Sequence, residues 1–119
     1  MPSKQKKTDR SSKEERRTGT QSGFDELLFG EYRFIHEPNR LLIISQLYAL
    51  EQVDMLYLKK TLPISWGNLS FHTTQLEERG YIIIKKQFIG KKSYTLLRIT
   101  SAGKTHFENY RNAMRNFLS

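Results

Sequence analysis

Pro63 stands between two short segments of helical periodicity, and no regular helix runs through it, because proline lacks the backbone N–H and its ring clashes with the preceding turn. Before it, Asp54 can cap a helix holding Met55, Leu56, Leu58 and Leu62. After it, Ser65 can cap a second helix that places Leu69, Thr73 and Leu76 on one face, with Gly80 as its C-terminal stop. Two helices joined by a turn confined to residues 62–65 must cross, so the first props the second against a core.

The flanking pattern supplies that core. Upstream, Glu37-Pro38 opens a helix that continues through Leu41, Leu42, Ile44, Leu47, Tyr48 and Leu50. Further upstream, Phe24, Leu27, Leu28 and Tyr32 recur at three- and four-residue steps, predicting a short amphipathic helix that starts near Ser22 and Asp25 and reaches Phe34. After Gly80 the period changes. Tyr81-Ile82-Ile83-Ile84 is rich in β-branched residues, Ile89-Gly90-Lys91-Lys92 reads as a turn, and Tyr94 to Ile99 as a returning strand. A last helix, capped near Thr100 or Ser101, aligns Phe107, Tyr110, Met114 and Phe117 or Leu118 in one stripe. The expected fold is α+β, mainly α: a three-helix core and a two-stranded hairpin, flanked by N- and C-terminal helices.

Residues 1–20 contain no aromatic residue and no aliphatic one except Met1, and hold seven basic against three acidic side chains. Such a segment cannot bury enough surface to offset its ordering entropy, so it is expected to be a disordered basic tail, with residues 21–119 forming one domain. The whole chain has 20 Lys+Arg against 12 Asp+Glu, a net charge of +8 that favours polyanions. Its apolar runs are too short to span a bilayer, and the polar N-terminus lacks the apolar stretch of a secretory signal, so a cytoplasmic, nucleoid-associated location is expected. With no cysteine, disulfides, thiolate metal sites and cysteine nucleophiles are excluded.

Where the charges fall is more informative than their sum. With Leu69, Thr73 and Leu76 buried, a rotation of about 100° per residue turns Gly67, Asn68, Ser70, Phe71, Thr74 and Gln75 away from the core. Asn68 and Gln75 can read adenine edges bidentately, Ser70 and Thr74 can reach bases or phosphates, and Phe71 can touch a thymine methyl. Ser65 and Trp66 stand at the leading end of this helix, Trp66 against backbone or core. No acid occurs from Lys59 through Leu76, and Glu77 and Glu78 come only at the trailing end. From Tyr81 to Ile99 the charges are Lys85, Lys86, Lys91, Lys92 and Arg98, again with no acid. This arrangement predicts a winged helix-turn-helix on double-stranded DNA, with the helix at about 65–79 in the major groove and the basic hairpin, 81–99, on flanking backbone. Lys59 and Lys60 are secondary candidates for backbone contact.

Four stretches resemble a known family: Ile35-His36-Glu37-Pro38-Asn39-Arg40-Leu41, Trp66-Gly67-Asn68-Leu69-Ser70-Phe71-His72, Leu76-Glu77-Glu78-Arg79-Gly80-Tyr81-Ile82 and Leu97-Arg98-Ile99-Thr100-Ser101-Ala102-Gly103. The resemblance, over about residues 34–118, is to winged-helix DNA-binding proteins related to MarR- and ArsR-type transcriptional regulators. It implies a homodimer that places two recognition helices in successive major grooves. It also implies pairing through the terminal helices, here with Phe24, Leu27, Leu28, Phe107, Tyr110, Met114 and Phe117 as candidate dimerisation residues. Thr73 departs from the family pattern, which has leucine there.

No enzyme is expected, since the chain has no phosphate-binding glycine loop, nucleophile elbow or pair of convergent carboxylates. His36, His72 and His106 are widely separated, so no metal site and no cofactor are expected, and His72 is expected to pack beside the turn. Nothing in the sequence supports a small-molecule effector, although the aromatic stripe of the last helix leaves room for one. Two other functions stay open: a winged helix used for protein interaction, and an architectural protein that coats DNA without reading bases.

Overall fold

The computed structural model describes residues 30–119. The predicted tail and Phe24, Leu27 and Leu28 lie outside the described residues. The described end of the predicted first helix is not helical: residues 31–36 form turns, with His36 N–H donating to the Tyr32 carbonyl at 2.9 Å. Phe34 and Ile35 are both buried and join this segment to the core.

Local capping then sets each helix. In α1 (Pro38–Leu50) the Glu37 carboxylate accepts from Arg40 N–H at 2.8 Å and Pro38 occupies the first turn. This helix buries Ile43, Ile44 and Leu47, while Leu42 and Leu50 stay exposed, so Ile43 takes the inward place that the sequence pattern assigns to Leu42. In α2 (Met55–Thr61) the Asp54 carboxylate accepts from Tyr57 N–H at 2.9 Å. Leu62 is extended, as the residue before a proline prefers. In α3 (Trp66–Glu78) the Ser65 hydroxyl accepts from Asn68 N–H at 3.2 Å. Gly80 follows it at φ +81°, a left-handed stop that a β-carbon disfavours. In α4 (Ser101–Leu118) the Thr100 hydroxyl accepts from Gly103 N–H at 3.0 Å and donates to the Gly80 carbonyl at 2.7 Å.

The sheet has one strand more than expected. β1 (Gln52–Asp54) and β2 (Ile82–Ile89) both pair antiparallel with β3 (Lys92–Ile99), giving the order β1-β3-β2. Val53 lies opposite Leu97 and Ile84 lies opposite Leu97 on the other side, so the base of the sheet presents Val53, Ile82, Ile84, Leu97 and Ile99 to the helices. The hairpin is longer than the sequence reading, its turn being only Gly90-Lys91, with Gly90 at φ +65°.

Thr73 is fully buried on α3, and its hydroxyl is satisfied by the carbonyls of Leu69 at 2.8 Å and Ser70 at 3.1 Å. A polar residue therefore fills a core position without an orphaned group. Phe107 and Tyr110 are buried in the subunit's own core, Phe107 against Tyr48 with ring centroids 4.9 Å apart. Tyr110 meets His36 across 2.8 Å between its hydroxyl and Nδ1. Met114 and Phe117 pack half-buried beside them, and Leu118 is exposed. Burial within one chain thus accounts for the first half of the aromatic stripe.

Candidate nucleic-acid interface

The two layers under α3 leave its other side open. Gly67, Asn68, Ser70, Phe71 and Thr74 are exposed, Phe71 to 56%, and Gln75 is half-buried, while Leu69, His72, Thr73 and Leu76 face in. The first turn holds no acid, so its free N–H groups and positive dipole end meet solvent unopposed. Trp66, which the sequence left between backbone and core, is 53% exposed, and the Lys59 ammonium lies 5.8 Å from its ring centre. Trp66 shares a cleft of about 330 Å³ with Lys92, Tyr94 and Leu56, so the leading end of α3 and the returning strand of the hairpin open onto one space. Glu77, at the trailing end, is occupied: its carboxylate accepts from Ile84 N–H at 2.9 Å and ties α3 to β2.

Strand register divides the basic residues that the sequence groups together. Alternation puts Lys85, Lys92 and Arg98 on the outer face of the sheet with Ile83, and Lys86 on the face that carries Ile82 and Ile84. Lys91 sits in the turn. Lys85 and Arg98 line one shallow depression with Gln52, Gln87 and Leu96. Arg98 pairs with Ile83 and Gln52 at the root, six residue pairs from Lys92, a separation of roughly 20 Å. Four of the five cations therefore flank the projecting part and Arg98 its base. The tip also exposes Phe88 to 73% and Ile89 to 66%, two apolar residues that the charge pattern concealed.

Behind α3 lies a cluster that sequence spacing does not reveal. Arg40 and Arg79 set their guanidiniums 4.1 and 4.0 Å from the centre of the buried Phe34 ring. Arg40 is fixed further by donating from Nε to the Phe34 carbonyl at 2.7 Å and from Nη1 to His72 Nδ1 at 3.1 Å. Because a guanidinium only donates, His72 Nδ1 is the acceptor of the Arg40 contact, and the Asn39 amide nitrogen lies 3.3 Å from Nε2. His72 is a packing histidine that joins α3 to α1. Burial pushes the Arg40 guanidinium below its ordinary value, Glu37 raising it and Arg79 lowering it.

His106 stacks on Tyr81, with ring centroids 4.7 Å apart and planes at 11°, and its Nε2 is buried without a hydrogen-bond partner. Burial lowers its value from 6.5. Among the described residues, no group of three His, Asp or Glu side chains converges as a metal site and no helix is long and apolar enough to cross a membrane.

A three-helix core whose last helix turns an acid-free polar face outward, backed by an antiparallel sheet with a projecting basic hairpin, defines a winged-helix protein. Residues 39–118 match the family described as winged helix DNA-binding domain, and the chain belongs to that family. An uncharacterized protein of Methanocaldococcus jannaschii is 39% identical over 71 residues, 60% of this chain and 77% of that protein. The fold is shared with a structure described as a transcriptional regulator homologue from Pyrococcus horikoshii. The TM-score is 0.74 at 22% identity, over 82% of this chain and 94% of that one.

Proposed function

We propose that this winged-helix DNA-binding domain is a sequence-specific transcriptional regulator that binds duplex DNA as a homodimer. The observation that carries the reading is the outer face of α3, where exposed Asn68, Ser70, Phe71 and Thr74, with Gln75 at the margin, offer base-reading groups on a helix whose first turn holds no acid. Ser65, Trp66 and Gly67 lie at the leading end, where backbone phosphate is met first. Lys85, Lys86, Lys91 and Lys92 hold flanking phosphates from the hairpin, with Arg98 at its root. Pairing draws on Met114, Phe117 and the N-terminal apolar residues, and the description of the Pyrococcus structure as a regulator homologue agrees with the reading. The protein acts inside the cell, by binding and without catalysis.

Selection from random duplexes at physiological salt tests this directly. Enrichment of a palindromic motif is the expected result. Retention without sequence preference overturns it in favour of DNA coating, and no retention overturns it in favour of a protein-interaction module. Sedimentation at micromolar concentration is expected to give a dimer, and a monomer there refutes the pairing.

A further inference from the structure

We propose that the cleft walled by Phe34, Arg40 and Arg79 binds a small phosphate-bearing anion. One face of a ring cannot hold two guanidiniums at a height near 4 Å, so Arg40 and Arg79 lie on opposite faces of Phe34 with like charges about 8 Å apart. Arg40 uses Nε and Nη1 within the fold. The Arg79 guanidinium donates no hydrogen bond to the described residues and rests against the ring. The result is two oriented forks with unspent N–H groups, beside a cleft of about 560 Å³ that Arg33 also lines.

A tetrahedral oxyanion suits this spacing better than a carboxylate, since its oxygens diverge and can accept from both sides of the ring edge, whereas the two oxygens of a carboxylate face one way. The volume leaves room for an organic remainder. Glu31 and Glu37 also line the cleft, but Glu37 is committed to Arg40 N–H. Arg79 is the C-terminal cap of α3 and Arg40 grips its middle through His72, so occupancy of the cleft is felt by the helix that faces DNA. The binding claim itself stands without DNA.

The test titrates inorganic phosphate and pyrophosphate into the full-length protein without DNA, following guanidinium N–H resonances and heat. Saturable one-to-one binding is expected, weakened about tenfold or more in Arg79→Gln, which loses a charged donor pair, and unchanged in Arg115→Gln, which removes the same charge from α4. Equal weakening in both variants, or no saturation, overturns the site. Duplex binding in the absence of free anion supplies the second arm. An unchanged salt slope in Arg79→Gln supports a free ligand. A slope reduced by about one assigns the cleft to a DNA phosphate and overturns the small-ligand reading.

Discussion

Gly103 sits where α4 crosses the end of α3 and the start of β2, and replacing it with alanine sets two physical effects against each other. In a helix, Gly→Ala alone stabilises by about 1 kcal/mol. Here, a β-carbon on residue 103 would overlap the Tyr81 carbonyl oxygen and stand 2.9 Å from Ile99 Cγ1. The carbonyl cannot turn aside, since it accepts from Thr100 N–H at 3.0 Å, and Thr100 is itself bonded to Gly80 and Gly103. Relief therefore requires α4 to retreat by roughly 1 Å to an ordinary C···O separation, which loosens Phe107 and Tyr110 in the core. Strain of roughly 3 kcal/mol less the propensity gain leaves a net loss of about 2 kcal/mol, or about 8–16 °C in Tm for a domain of this size. Thermal and urea unfolding followed by circular dichroism measure it. A Gly103→Ala protein as stable as the parent, or more stable, refutes the close-approach reasoning.

Three further outcomes are expected. Glu51 adopts φ +69°, strained for a residue with a β-carbon, and its ion pair with Lys104 is solvent-exposed, so Glu51→Gly should gain up to about 1 kcal/mol in urea unfolding. The folded state holds His106 below its ordinary value of 6.5, so the unfolded chain binds the proton more readily and stability falls as pH drops below 6.5. His106→Phe, which keeps the stack on Tyr81, should flatten that part of the urea-midpoint profile between about pH 7 and pH 5. In DNA titrations Asn68→Ala should relax preference at one base position by about 1–3 kcal/mol, while Lys91→Ala weakens all duplexes alike and lowers the salt slope by about one; equal effects of both on specific and random DNA refute the division of roles.

What could be read from the chain was what local chemistry decides. The caps at Glu37-Pro38, Asp54, Ser65 and Thr100, the stop at Gly80 and the break at Pro63 each act within a turn of their own position, and each stands where its residue type predicts. β1 escaped because Gln52-Val53-Asp54 has one apolar residue and owes its strand to partners more than forty residues away. The polar run from Lys85 to Gln87 hid the length of β2, since beyond the core neither strand face needs to be apolar. The turns at 31–36 carry a helical signature in the sequence because Tyr32 completes a helical spacing, a pattern that successive turns satisfy as well. The outward face of α3 followed from periodicity alone. The Arg40-Phe34-Arg79 stack did not, because its members meet only when α1 and the end of α3 are packed together.

The short strand β1 also determines how the hairpin bears load. It braces β3 only from Leu96 to Arg98, so the root is a three-stranded plate seated on the helices, while the outer part, from Lys86 to Thr95, is a two-stranded ribbon. Such a ribbon twists more freely than a plate, and the hairpin is therefore a cantilever: clamped where it meets α3 and compliant toward Lys91. The tip can deflect while the angle of α3 stays set by the clamp.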